Sequence, residues 1–258
     1  MTHNPYRASR TTRRVLTTLA ALSLAAVTGC ASGPNVHPDD PLEPYNRSVT
    51  KFNNAVDDAL LKPLATTYVE LTPQIIRTGV SNFFANVGDA WSFVNNSLQL
   101  KPEPAATSFF RFGINTLMGL GGVLDVASEM RMERYKQDFG QTLGHYGVPT
   151  GPYFVLPLLG PSSIRDTAAL PIDARGNLLS TIDPVSARNS VYALRVVDAR
   201  ANLLRATNVL SSAALDEYSF TRDVYLQRRR GETGRISRDE DALPSDGSLP
   251  RETDAPAR

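Results

Sequence analysis

The stretch from Phe109 to Val126 reads FFRFGINTLMGLGGVLDV, and it sets the limits on the fold. From Phe112 to Leu124 no side chain is charged, and four glycines interrupt the apolar surface. A helix of these 13 residues would be about 20 Å long, whereas a membrane-crossing helix needs about 20 apolar residues. The stretch is too short to span a bilayer. Its residues alone leave two alternatives, the core of a soluble domain or a hairpin that enters one leaflet.

Residues 1–29 have the pattern of a lipoprotein signal peptide. Four arginines precede a short apolar segment, and the sequence VTGC ends at Cys30. This resembles a bacterial lipobox, in which the cysteine carries a diacylglycerol and an N-acyl chain that together anchor a protein stably. Cys30 is the only cysteine, so it has no internal disulfide partner. Ala31 in place of aspartate favours the outer membrane, and the export route, Sec or Tat, stays open.

The charge balance excludes a nucleic-acid-binding function. The leader holds four of the 27 basic residues and no acidic one, which leaves 23 basic against 26 acidic residues. A nearly neutral body has no electrostatic footprint for nucleic acid and no polybasic patch for anionic headgroups. Membrane contact beyond the lipid anchor must therefore be apolar.

Composition divides the chain into four parts. We expect the signal peptide at 1–29, a lipid-anchored tether at 30–39 without apolar periodicity, one helical domain at 40–230, and a disordered tail at 231–258 that lacks aromatic residues. The domain opens with DPLEP, so its first helix starts either after Asp40 as cap or at Pro44 with Glu43 as cap.

Helical periodicity recurs through the domain. The longest apolar stripe follows Thr72-Pro73, an expected cap and first helical residue, and Gly88-Asp89 is a possible break in it. The opposite face of that helix is polar but nearly uncharged, which favours a packed interior or a membrane interface over a solvated surface. The stripe consists of Ile76, Val80, Phe83, Val87, Trp91, Val94 and Leu98, and the polar face of Ser81, Asn82, Asn86, Asn95 and Asn96.

The second half of the domain contains more helices around one irregular segment. Residues Phe139 to Pro161 hold five glycines and four prolines and predict an ordered loop packed on the helices. Further helices are expected from Pro161, from Pro184 with an outward-facing charged side, and from about Asp216 to three solvated arginines ending at Arg230. No strand pattern of any length competes, so the fold class is all-α.

The sequence offers little for catalysis. His145 is the one histidine of the domain, and a triad with Ser162 or Ser163 and Asp166 would lack the strand-turn-helix elbow that nucleophilic serines use. One histidine and no free cysteine argue against a metal site, and no phosphate loop is present. We expect neither an enzyme nor a cofactor other than the acyl chains on Cys30.

A series of motifs carries a family resemblance. In chain order they are DPLE from Asp40, YNR from Tyr45, FN from Phe52, SNF from Ser81, RFxxNTxxGxGGxxDVA from Arg111, DFGQTLGHYGV from Asp138, GPYxxLP from Gly151, RD at Arg165, RAxLL at Arg200 and YLQRR at Tyr225. Together they resemble the VacJ/MlaA family of outer-membrane lipoproteins over about Asp40 to Arg230. Pro44 stands where the family often has glycine, and the tail lies beyond the family pattern.

The resemblance implies a ring-like helical domain within the inner leaflet of the outer membrane, with a central amphipathic channel. Through it, phospholipids mislocalised in the outer leaflet pass to a soluble periplasmic carrier, and the protein sits beside a trimeric porin. On this basis the Phe109–Val126 stretch is membrane-embedded. The alternative is a structural lipoprotein that scaffolds a porin or envelope complex.

A transport mechanism without a chemical step follows as a hypothesis. A phospholipid needs polar contacts for its headgroup and apolar contacts for its tails. The expected channel lining is Phe109, Phe112, Ile114, Asn115, Thr116, Leu117 and Met118. The expected hinge is Gly119, Gly121 and Gly122.

Overall fold

The computed structural model describes residues 37–232, apart from the side chains of residues 211–213. The signal peptide 1–29, the acylation site Cys30, tether residues 31–36 and the tail beyond Glu232 lie outside the described residues. The corresponding expectations stay predictions.

The described chain is built from helices and one small β-hairpin, which confirms the all-α class. A π-helical segment (Asp57–Leu61) joins the first two helices, and a 3₁₀ turn (Leu178–Thr181) follows the seventh. The helices are α1 (Glu43–Val56), α2 (Lys62–Leu71), α3 (Gln74–Leu98), α4 (Pro102–Leu117), α5 (Val126–Glu129), α6 (Phe139–His145), α7 (Ile164–Gly176), α8 (Val185–Ala213) and α9 (Glu217–Glu232).

Helices α3 and α4 form the main helical pair, and α2 and α8 form a second. The predicted break at Gly88-Asp89 is wrong, since α3 runs unbroken through both residues. Asp89 is buried in ion pairs with Arg111 and Arg134, so tertiary contacts outweigh its weak helix propensity. Helix α4 also ends earlier than the apolar run, at Leu117, and residues 118–125 turn back over it.

Two predicted helix starts are displaced by one or more residues. Helix α1 begins at Glu43 with Pro44 in its first turn, and Asp40 is a buried acceptor rather than its cap. Helix α3 begins at Gln74 after Pro73, so Thr72 does not cap it.

The Gly- and Pro-rich segment is more regular than a loop. Asp138 and Gln141 form a reciprocal capping box, each side chain accepting from the other's backbone N–H at 2.8 Å, and this starts the short helix α6. Strands β1 (Tyr153–Leu156) and β2 (Gly160–Ser163) then pair antiparallel. Ser163 ends the hairpin and caps α7 by accepting from the N–H of Asp166 at 3.1 Å.

A small apolar core lies where the hairpin meets the two ends of the domain. It consists of Tyr153, Val155, Tyr218 and Leu226. Beside it, the buried Asn46 amide donates to Asp40 at 2.8 Å and accepts from Val155 N–H at the same distance. The apolar core and these hydrogen bonds hold α1, the hairpin and α9 together.

The residues at both ends of the domain are tied in more tightly than the sequence suggested. Asp39 belongs to the expected tether, yet its carbonyl accepts from Tyr153 N–H and its carboxylate pairs with Arg230 at 2.6 Å. Gly231 and Glu232, expected in the tail, complete α9. Arg229 is not solvated, because it pairs with Asp138 at 2.7 Å and Asp166 at 2.9 Å.

Three exposed leucines sit in turns with left-handed backbone. Leu100, Leu120 and Leu158 have φ angles of 55°, 53° and 64°, a region that favours glycine and asparagine. Each of these leucines is at least 66% exposed.

Candidate functional site

The distribution of polar and apolar side chains is inverted relative to a water-soluble domain. Among the described side chains, nineteen polar or charged residues are buried, against nine apolar ones. Asn86, Asn95 and Asn96, on the uncharged face of α3, are all at most 2% exposed, so this face is a packed interior. On the opposite face Ile76, at 55%, is largely exposed. Large exposed apolar surfaces mark contact with a membrane or another protein.

A buried ion network fixes α4 to its neighbours. The Arg111 side chain is 1% exposed and lies 2.9 Å from Asp125 and 3.4 Å from Asp89, and Arg134 contacts the same two carboxylates. Burial raises the pKa of Asp89 despite both arginines. Burial would also raise the pKa of Asp125, but its net pKa is lowered. Hydrogen bonds from Ser128 and Asn115 and the charges of Arg111 and Arg134 cause this decrease.

The polar residues of the expected lining are engaged inside the protein. Asn115 is 1% exposed, donates to Asp125 at 2.9 Å and accepts from Ala127 N–H at 2.9 Å. Thr116 accepts from the buried Asn86 amide at 2.9 Å. Asn115 is therefore part of the internal network, and Thr116 links α4 to α3 through Asn86. Whether either residue also lines a lipid path stays a prediction.

The apolar residues of the expected lining do not share one wall. Phe109, Leu117 and Met118 are exposed, with Leu117 at 84%, whereas Phe112 and Ile114 are half-buried. They lie around different sides of α4. The structure thus brings Phe109, Leu117 and Met118 to the surface. None of the seven residues of the expected lining borders either of the two spaces described below, and their role in a channel stays a prediction.

The expected hinge is a compact turn after α4. Leu120, Gly121 and Gly122 have successive positive φ angles of 53°, 72° and 95°, which returns the chain across the helix end. Gly122 N–H donates to Asn115 O at 2.8 Å. A Cβ at Gly119 would lie 2.2 Å from Leu124 O, and one at Gly122 would lie 2.7 Å from Asn86 Cβ. Close packing requires glycine at 119 and 122, whereas Gly121 is favoured by its backbone conformation alone. Whether the turn also moves stays a prediction.

A polar cavity lies between the first half of α3 and α8. Its volume is about 470 Å³. It is lined by Gln74, Arg77, Thr78, Ser81, Asn202 and Arg205. Two arginines from different helices therefore line one space.

Asp198 organises the wall of this polar cavity. It is 4% exposed and accepts from Ser81 Oγ at 2.9 Å, from Tyr68 OH at 3.3 Å and from Asn202 Nδ2 at 3.3 Å. Burial raises the pKa of Asp198 even though these donors oppose the shift. The carboxylate is thus occupied by neutral donors, and it holds Ser81 and Asn202 in place.

An apolar groove adjoins the polar cavity along α3. It has a volume of about 460 Å³, and Thr78 lines both spaces. Its walls come from α3, from α8 and from the turn after α4 through Val123 and Leu124. The two spaces together offer cationic and apolar surface side by side. The remaining apolar lining is Ile75, Ile76, Val80, Phe83, Phe84, Val191 and Leu194.

Sequence reasoning missed this pair of spaces. Periodicity assigned Asp198 and Arg205 to the solvent side of an ordinary amphipathic helix, whereas Asp198 is buried and Val196 is 49% exposed. The available signal was the spacing of Asp198 and Asn202 by four residues, which places both on one helix face opposite the polar face of α3.

The residues of the triad considered above, His145, Ser162 or Ser163, and Asp166, each make structural contacts. His145 ends α6 with its ring against Tyr146. Ser162 bonds with Thr167, Ser163 caps α7, and Asp166 pairs with Arg165 and Arg229 and accepts from Tyr225 OH at 2.6 Å. Burial and this carboxylate raise the pKa of Tyr225 to about 12.

Residues 37–232 contain neither a cluster of metal-binding side chains nor a membrane-spanning helix. Within that range no group of three or more histidine, cysteine, aspartate or glutamate side chains is placed to hold a metal ion. None of the helices in that range combines the length and apolar character needed to cross a bilayer.

Comparison with known proteins gives consistent matches over the domain. A family model described as MlaA lipoprotein matches residues 38–232. The intermembrane phospholipid transport system lipoprotein MlaA of Shigella flexneri is 36% identical over 215 residues, covering 81% of this chain and 84% of that protein. The protein of the same name from Haemophilus influenzae is 34% identical over 254 residues, with 91% and 97% covered.

A solved structure gives the same result for the fold. It concerns the structural basis for maintenance of bacterial outer membrane lipid asymmetry. The similarity has a TM-score of 0.62 at 33% identity, and it covers 75% of this chain and 98% of the solved one.

Proposed function

Because the chain belongs to the MlaA lipoprotein family, we propose that it is an outer-membrane lipoprotein of intermembrane phospholipid transport that maintains lipid asymmetry. It removes mislocalised phospholipids from the outer leaflet of the outer membrane and passes them to a soluble periplasmic carrier. The relatives named for phospholipid transport and the solved structure concerned with lipid asymmetry support this assignment.

The inverted side-chain distribution is the observation that carries the proposal. An apolar exterior is unfavourable in water at roughly 25 cal/mol per Å² but favourable against acyl chains. Most buried polar groups of the described residues are hydrogen-bonded to one another, as Arg111, Asp125 and Asn115 are, and the exceptions are Asn86 Oδ1, Asn96 Oδ1 and Arg165 Nη2. The interior therefore keeps its structure without a large apolar core. Such a domain is suited to lie within lipid.

Placement in one leaflet is part of the proposal. Helix α4 has 16 residues and is about 24 Å long. Tethered by the acyl chains on Cys30, the domain lies in the periplasmic leaflet, with its exposed apolar side chains among lipid tails or against a trimeric porin. The tether joins the domain at Asp39, which is held against the hairpin.

Transport needs a path that accepts both ends of a phospholipid. The polar cavity and the apolar groove, which meet at Thr78, supply adjacent surfaces of both kinds. Movement of lipid along them involves no bond making or breaking, so the protein acts as a conduit and not as an enzyme.

The first experiment measures outer-leaflet phospholipid in a strain that lacks the protein. We expect phospholipid to accumulate, and wild type but not Cys30→Ser to reverse the accumulation. Unchanged phospholipid together with altered porin assembly would refute transport and support the scaffold alternative.

A point variant tests directly whether the exposed apolar surface around Leu117 contacts lipid. Leu117 is 84% exposed, so Leu117→Asp disturbs no intramolecular packing but places a charge among acyl chains. We expect normal unfolding in detergent and lost complementation. Asn189→Asp, on the exposed surface of α8, adds the same charge as a control. Full complementation by Leu117→Asp would contradict burial of this surface in lipid.

A further inference from the structure

We infer that the polar cavity binds the phosphate of a phospholipid between Arg77 and Arg205, with an acyl chain in the adjoining apolar groove. The inference rests on the proposed function and assigns its substrate contact to a place in the fold. It moves that contact from the expected lining on α4 to the space between α3 and α8.

The two arginines are available for a ligand. Among the ion pairs of the described residues, none involves Arg77 or Arg205. Arg77 uses Nε to donate to Thr72 O at 3.1 Å, which orients its guanidinium. The side chain of Arg205 makes no hydrogen bond within residues 37–232. Guanidinium groups bind phosphate through paired N–H donors, so two of them facing one cavity form an anion site.

The acidic group near the cavity, Asp198, interacts with the charge of Arg77, which opposes the rise in the Asp198 pKa that burial causes, but it forms no ion pair with either arginine. Asp198 is buried and is turned toward Ser81, Tyr68 and Asn202. Its role is to position the two neutral lining residues Ser81 and Asn202. The remaining lining, Gln74 and Thr78, adds neutral hydrogen-bonding groups.

The adjoining groove identifies the ligand as a lipid. Inorganic phosphate or a soluble phosphodiester shares the anionic chemistry but leaves the apolar groove empty. The groove and the cavity are each about 460–470 Å³, within the range of about 300–1,000 Å³ found for ligand sites. A phospholipid has an anionic group joined to acyl chains, which matches the two spaces that meet at Thr78.

The test measures lipid binding to the full-length acylated protein in detergent micelles. The probe is fluorescent phosphatidylethanolamine, and Arg205→Glu is the main variant because its side chain holds no other part of the protein. We expect at least about tenfold weaker binding, since a charge-assisted contact is lost and a repulsion is added. Arg77→Gln combined with Arg205→Gln should give a similar loss, and Arg205→Lys a partial one.

Controls separate a binding effect from a folding effect. Arg195→Gln removes an exposed arginine of the same helix that does not line the cavity, and we expect unchanged binding. Thermal unfolding of each variant verifies the fold. Diacylglycerol, which lacks phosphate, should bind wild type and Arg205→Glu equally.

The outcomes distinguish this inference from the proposed function. Equal phosphatidylethanolamine binding by wild type and the arginine variants would overturn the inference and leave transport standing. Binding of inorganic phosphate or glycerophosphoethanolamine as tight as that of the lipid would show a soluble anion site and overturn it as well. Failure of wild type to bind any phospholipid would overturn both.

Discussion

Alanine substitutions at two adjacent glycines should have unequal effects on stability. Gly121 and Gly122 both have positive φ angles, of 72° and 95°, so alanine at either position is strained. For Gly121→Ala we expect about 1–2 kcal/mol of destabilisation from the backbone alone, because nothing lies within 4 Å of the new Cβ. At Gly122 the new Cβ would lie 2.7 Å from Asn86 Cβ. Such overpacking adds about 1–3 kcal/mol.

The assay is thermal unfolding of the purified protein in detergent, followed by circular dichroism. For a domain of this size, 1 kcal/mol shifts the midpoint by about 2–4 °C. We expect Gly122→Ala to lower the midpoint about twice as far as Gly121→Ala. Gly113→Ala is the matched control, since Gly113 lies inside α4 with open space around its Cβ position, and it should stabilise by about 0.5–1 kcal/mol.

Equal midpoints for Gly121→Ala and Gly122→Ala would refute the packing argument, because the Asn86 contact would then have no effect. The pair also separates packing from a hinge. A hinge predicts reduced transport by Gly121→Ala at nearly normal protein levels. Alternatively, only Gly122→Ala reduces transport, by the same factor as it reduces the amount of folded protein. That result would show that the turn affects transport through stability alone.

Two further predictions concern buried charges. Arg111→Met leaves the buried Asp89 and the part-buried Asp125 each without one of its two arginine partners, and it should destabilise the protein by about 3–5 kcal/mol in denaturant unfolding. The exposed Lys62→Met control should cost below about 1 kcal/mol, and equal effects would contradict a structural role for the network. Burial would raise the pKa of Asp166, but the Tyr225 hydroxyl and the charge of Arg229 lower it below its ordinary 3.8. The stability from this carboxylate is therefore present above about pH 4 and is lost as the pH falls further. Asp166→Asn should flatten the acid part of the plot of unfolding free energy against pH. An unchanged plot would show that the ionisation of Asp166 is not coupled to folding.

Periodicity predicted helices well but could not tell which side of each helix is buried. The stripe from Ile76 to Leu98 places α3 within two residues, and Pro184 marks the start of α8. A repeat of 3.6 residues identifies a face, and the usual assumption is that the apolar face is inside. Here the asparagines of α3 are inside, because the domain's surroundings are apolar under the proposed function.

Most of the structural features that the sequence did not predict depend on contacts between segments far apart in the chain. The many glycines and prolines from Phe139 onward gave no sign of the helix and the hairpin found there. The start of the helix depends on a capping box, and the hairpin depends on contacts with α1 and α9. Asn115 was assigned to a channel by its neighbours in sequence, but its position is set by Asp125 and Ala127 across the turn. The pairing of Arg77 with Arg205 likewise joins residues far apart in the chain.

The three leucines with left-handed backbone couple the shape of the turns to their surroundings. Each conformation costs about 1–2 kcal/mol, whereas taking a leucine side chain out of water yields about 1.5–3 kcal/mol. In water, Leu100, Leu120 and Leu158 carry the strain without compensation, since their side chains are exposed. Immersed in acyl chains, the same turns become net favourable. If the domain lies in lipid as proposed, membrane insertion compensates the strain of these turns, and we expect a protein released from lipid to unfold locally first at Leu100, Leu120 and Leu158.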